Sequence, residues 1–85
     1  MAVKNLSAFG EYLRRLREQK GVSQAQLASD LKDVVGLRTI GRWENGRHEP
    51  YLSELAPVLT YLGGSLAEAA VLIAGSGAKE QQKAA

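Results

Sequence analysis

The chain has 85 residues, 45% hydrophobic and 24% charged, with a net charge of +2; this describes one small globular domain, neither a disordered chain nor a pair of domains. It has no cysteine, which excludes disulfides and thiolate metal sites and asks for no oxidising compartment. The opening MAVKNLSAFGEYLRRL lacks the apolar core and cleavage pattern of a signal peptide, and no run is apolar enough to span a bilayer, so the expected location is the cytoplasm.

In chain order, the stretch from Ser7 to Lys20 places Phe9, Tyr12, Leu13 and Leu16 at three- and four-residue spacings, with Glu11, Arg14, Arg15 and Glu18 between them. That pattern predicts an amphipathic helix, and Gly21 stops it. Ser23 with Gln26 three residues later forms a capping box, so a second helix begins there and turns Leu27, Ala28 and Leu31 inward. "KDVVG" reads as a turn. A third helix follows and ends at Asn45-Gly46, two residue types that tolerate a left-handed backbone. Leu52, Leu55, Val58, Leu59 and Leu62 keep helical spacing as far as Gly63-Gly64. Pro57 fits best near a first turn, so this fourth helix is expected to start around Ser53 or to bend. Ser65 and Glu68 form a second capping box and open a last helix through SLAEAAVLIAG. The expected fold is therefore all-α with five short helices. Residues 1–75 form the domain, and 76–85 (SGAKEQQKAA) a flexible polar tail.

The third helix carries the most information. Stepping about 100° per residue from Leu37 puts Gly36, Ile40, Trp43 and Glu44 between about 240° and 340°. Leu37, Gly41, Asn45, Arg38 and Arg42 fall between about 0° and 140°. One side holds the indole and the isoleucine, the other both arginines. Positive charge is also local. Residues 36–48 hold Arg38, Arg42, Arg47 and His48 against Glu44, and residues 14–20 hold Arg14, Arg15, Arg17 and Lys20 against Glu18. Basic surface on a chain of mild total charge suits a polyanionic partner.

The segments FGEYLRRLREQKGVSQAQLA, IGRWENGRHEP and the leucine-spaced stretch ending in LGG resemble the lambda-repressor-like (Cro/CI-type, XRE) family of helix-turn-helix proteins, from about Leu6 to Ile73. The most specific pieces are Ser23-Gln24 with Leu27-Ala28, and Arg42-Trp43-Glu44-Asn45-Gly46 followed by Pro50. The resemblance implies a third helix in the DNA major groove and a second crossing the backbone. It places Leu37, Arg38, Gly41 and Arg42 at base edges, where arginine can hold guanine O6 and N7 and a leucine can meet a thymine methyl. It places Gln24, Thr39, Asn45 and Arg47 on phosphates. It further implies a partly buried pair between Arg17 and Glu44, which makes that acid scaffold rather than a negative charge facing DNA. One departure stands out. From Ala28 to Glu44 the chain is about two residues longer than is usual in the family, an insertion that a loop absorbs cheaply. It leaves open where the recognition helix starts.

Other chemistry finds no support. His48 has only Glu49 beside it, so no metal site is expected and no cofactor is implied. Ser23 reads as a cap and not a nucleophile, since no general base is arranged with it. Trp43 reads as core, and Arg14 and Arg15 as solvated. No enzyme is expected. The expected function is a sequence-specific double-stranded DNA-binding regulator, a repressor acting as a homodimer on a palindromic operator. The alternatives are the antitoxin of a toxin–antitoxin pair and a protein-interaction module on the same fold; a toxin or inducer partner stays unidentified. In the last helix, Leu66, Ala69, Ala70 and Ile73 are expected to cover the core. That leaves Ala67, Val71, Leu72 and Ala74 for a dimer interface, because a two-fold contact joins one patch to itself.

Overall fold

The computed structural model describes residues 6–75; the proposed tail at 76–85 lies outside them. Five helices follow one another: α1 (Leu6–Lys20), α2 (Gln24–Asp30), α3 (Leu37–Glu44), α4 (Leu52–Leu62) and α5 (Leu66–Ala74), with no strand among the described residues. The all-α, five-helix reading holds.

Local chemistry sets the boundaries. At the end of α1, Gly21 takes a left-handed φ of 80°, and both its N–H and that of Val22 donate to the Arg17 carbonyl. Ser23 Oγ accepts from the Gln26 N–H at 3.0 Å, and Ser65 Oγ from the Glu68 N–H at 3.1 Å, so each serine satisfies one donor that a helix start leaves unpaired. The side chain of Gln26 does not complete its box. Its amide donates instead to Asp30 at 2.8 Å, one helical turn on.

α1 runs through the middle of the packing and meets α3, α4 and α5, while α2 packs on α3. Phe9 and Leu13 of α1, Leu27 of α2, Ile40 and Trp43 of α3, and Val58 and Leu59 of α4 are buried completely or nearly so. Each such side chain contributes about 1.5–3 kcal/mol when taken out of water. The Phe9 and Trp43 rings meet edge to face, 6.4 Å apart at 63°.

Residues 31–36 form the turn between α2 and α3, because α2 ends at Asp30 and is not extended. The N–H groups of Val34 and Val35 both return to the Leu31 carbonyl, and Val35 is buried while Val34 packs on the core. A turn with two inward valines is tethered. It fixes the start of α3 at Leu37.

Two expectations change. α4 begins at Leu52, within one residue of the expected start, but Pro57 lies inside the helix and past its first turn. The hydrogen bond that proline cannot make is to the carbonyl of Ser53, an exposed residue where water can take its place. In α5 the inward side is Ala69, which is buried, with Leu72 and Ile73 half-buried against the core; Leu66 and Ala70 face outward. Leu72 is thus part of the domain packing and not free for an interface. Every residue of α5 except Glu68 is apolar, so the pattern carries no phase. Tertiary contacts set the rotation: the Tyr12 hydroxyl accepts from the Ser65 N–H at 2.9 Å and pins the start of α5 to α1.

Gly10 shows how close α1 and α3 come. A Cβ there would sit 2.5 Å from the Glu44 carbonyl oxygen and 2.7 Å from that of Trp43. In an isolated helix Gly→Ala gains up to about 1 kcal/mol. Here Gly10→Ala must push the two backbones apart, and we expect a loss of about 1–3 kcal/mol in chemical denaturation. A gain would mean that α1 and α3 do not cross this tightly.

Candidate nucleic-acid interface

α3 is two-sided in the folded chain. Ile40, Trp43 and Glu44 are buried, whereas Arg38 and Arg42 are exposed and Leu37 is 51% exposed. Thr39 and Gly41 are half-buried; a Cβ added at Gly41 would meet only the Gln24 side-chain oxygen, at 4.0 Å. The helix ends as its sequence implies: Gly46 has a φ of 70°, and the Arg47 N–H returns to the Arg42 carbonyl at 2.9 Å. Asn45 stays on the right-handed side, at φ −88°, so the glycine alone makes the left-handed turn. Asn45 and Arg47 are exposed just past the helix end, and Gln24 is half-buried at the first position of α2. These side chains and the outer side of α3 form one basic surface across α2, α3 and the start of the loop that follows.

Beneath this surface lies Glu44. Its side chain has no exposed area, and Arg17 opposite is 13% exposed. Arg17 Nε donates to one Glu44 oxygen at 2.7 Å and Nη2 to the other at 3.2 Å, a two-point grip on the carboxylate. Nη1 of Arg17 donates to the Val22 carbonyl at 2.9 Å, which ties the turn between α1 and α2 into the same network. The hydrogen bond to Glu44 is the main reason that the Arg17 guanidinium binds its proton more tightly than an ordinary arginine; desolvation pulls the other way. A fourth bond was not legible in the sequence. Gln24 Nε2 donates to Glu44 Oε1 at 2.9 Å. Arg14, read from the sequence as solvated, stands with its Nε 3.6 Å from the same oxygen and remains 45% exposed. Its position three residues before Arg17 on one helix was the available signal.

The remaining proposed positions sit apart from this surface. Ala67, Val71 and Ala74 are exposed on α5, with Val71 at 57%. Among the described residues no group of three or more His, Asp or Glu side chains is placed to hold a metal, and no helix is long and apolar enough to cross a membrane.

Removing Glu44 leaves Arg17 with a single carbonyl partner in a nearly closed site. We expect Glu44→Ala to cost about 3–5 kcal/mol of stability, where an exposed pair would cost about 0–1 kcal/mol. A thermal melt at the wild-type temperature would show that the pair holds nothing together.

Known proteins share the family and the fold. A helix-turn-helix domain family matches residues 8–72. Two crystal structures of the clp gene regulator ClgR from Corynebacterium glutamicum share 33% identity and a TM-score of 0.67 with this chain. One alignment covers 92% of this chain and 81% of the ClgR chain, the other 88% and 95%. The crystal structure of the DNA-binding domain of BldD shares the fold at 22% identity and a TM-score of 0.67, over 81% of this chain and 97% of that one. No curated protein matches the chain. The two-sided third helix, its glycine-capped end and the carboxylate beneath it therefore have one common explanation: the chain belongs to the helix-turn-helix family of lambda-repressor-like DNA-binding regulators.

Proposed function

We propose that this chain binds double-stranded DNA sequence-specifically as a homodimer on a palindromic operator and represses transcription by occluding the promoter. The observation that carries the reading is α3 itself. It is anchored by Ile40, Trp43 and Glu44 and presents Leu37, Arg38, Gly41 and Arg42 on the opposite side. An anchored helix lends precision to side chains that read base edges in the major groove. Gln24, Thr39, Asn45 and Arg47 flank that side and are the phosphate contacts of this reading, with Arg14 added to them. A dimer filling two successive major grooves excludes another protein from the same stretch of duplex, which supports occlusion.

Assembly is argued from α5. Stepping about 100° per residue, its inward arc of Leu72, Ala69 and Ile73 is followed by a second apolar arc: Leu66, Ala70, Ala74, Ala67 and Val71, between about 0° and 140°. All five of these residues are exposed. Leu66, Ala67, Ala70 and Ala74 line one wall of a groove of about 630 Å³, and Leu52 and Leu55 of α4 line the other. Leu52 and Leu66 stand exposed at this groove, so one face offers both projections and a hollow. A second copy related by a two-fold axis matches that kind of face with itself. The interface of this reading is Ala67, Val71 and Ala74 with the Leu52–Leu66 groove added; Leu72, packed on the domain core, is not part of it.

Selection of bound sequences from a random duplex pool tests the function directly; a half-site repeated with inverted symmetry is the expected outcome, and an unenriched pool overturns it. Within such a site, Arg42→Ala is expected to weaken binding by about 1–3 kcal/mol and to relax preference at one base pair. Arg47→Ala is expected to weaken all sequences alike and to lower the slope of log affinity against log salt by about one unit. An unchanged consensus for Arg42→Ala would remove that residue from the bases.

For the dimer, Val71→Glu places a charge at the edge of the exposed apolar arc. Sedimentation is expected to give a folded monomer whose affinity for a full operator falls towards that for a half-site. A Val71→Glu protein that still sediments as a dimer would move the interface off α5.

A further inference from the structure

We infer that Glu44, besides holding Arg17, is a positioning residue for DNA binding: its Oε1 orients the amide of Gln24 for a phosphate. The inference rests on the DNA-binding reading above and concerns how one contact is prepared. A glutamine amide free to rotate presents N–H or C=O with equal ease, and only the N–H end suits a phosphate oxygen. An ionised carboxylate accepts and never donates. Because Gln24 Nε2 lies 2.9 Å from Glu44 Oε1, the nitrogen end is fixed at Glu44. One amide hydrogen is spent on that bond. The second belongs to the same nitrogen and is unpaired among the described residues.

The arrangement reverses the usual expectation for an acid under a DNA-binding surface. Glu44 has no exposed side-chain area, and the two-point bond from Arg17 offsets its charge. What reaches the surface is the order it imposes. Arg14, 3.6 Å from the same oxygen and 45% exposed, is drawn to the same side by attraction to that carboxylate. Two surface donors thus take their positions from one buried acceptor, and less freedom remains to be lost when DNA arrives.

A double-mutant cycle separates this role from a purely structural one. In the wild-type background, Gln24→Ala is expected to lower affinity for duplex DNA about tenfold, the effect of a hydrogen bond to a charged group. Glu44→Gln keeps the shape, but its amide can present either its oxygen or its NH₂ group to Gln24, so the acceptor that fixes the Gln24 nitrogen is no longer obligatory. In that background Gln24→Ala is expected to change affinity less than about twofold, because the contact is no longer held in place. Equal losses in both backgrounds overturn the proposal. Should Glu44→Gln fail to fold, the wild-type protein supplies a second measurement by NMR. One side-chain amide proton of Gln24 is expected to exchange slowly with water and to hold its shift when duplex DNA is added, while the other moves. Two protons exchanging as fast as those of exposed Gln19 overturn it. Wild-type protein that binds no duplex at low salt overturns the DNA reading, and this proposal with it; binding with additive losses removes the positioning role alone.

Discussion

Glu44 sits where α1, α2 and α3 converge, and the position of every helix near the basic surface is referred to its carboxylate. Arg17 reaches it from α1, Gln24 from α2, and the acid itself closes α3. A carboxylate without exposed area is costly to bury alone, and its pairing offsets that cost only when the geometry is good. Three bonds, at 2.7, 3.2 and 2.9 Å, supply such geometry. Hydrophobic packing of Phe9, Leu13, Ile40 and Trp43 provides most of the cohesion, but packing tolerates small rotations of a helix. The directional bonds to Glu44 do not, and a helix that reads base edges depends on its rotation being set.

Much of this was legible from residue order. The spacing on α1 and α3, the two serine caps and the glycine stops predict the helices and the two sides of α3. The pair of Arg17 with Glu44 came only from the family resemblance, since the two are 27 positions apart and no local pattern links them. The bond from Gln24 escaped even that. A glutamine at the first position of a helix is read as facing outward, and only the folded chain brings a carboxylate from α3 beneath it.

The opposite failure occurs at α5. Sequence periodicity works by contrast between polar and apolar residues, and LAEAAVLIA has almost none. Its rotation is decided by contacts from elsewhere, chiefly Tyr12 on Ser65, so the inward set became Ala69, Leu72 and Ile73. Pro57 and the valine-rich turn before α3 are milder cases of the same kind. In each, a local rule named the disturbance correctly, and the surrounding packing decided how it was absorbed. Gly10 gave no local signal. Its role exists only in the approach of a second backbone.

Trp43 is the one tryptophan in the chain, and it is completely buried against Phe9 at the crossing of α1 and α3. Its indole N–H has no hydrogen-bond partner among the described residues, and no surface of the ring faces the proposed DNA side. The molecule therefore carries its own optical probe, placed in the packing that holds the recognition helix and away from the surface where bases would stack or quench. A red shift or quenching of its emission reports water entering that crossing, while occupancy of the basic surface leaves it nearly silent. Loosening of the reading head and occupation of it can thus be followed as separate signals in one unlabelled protein.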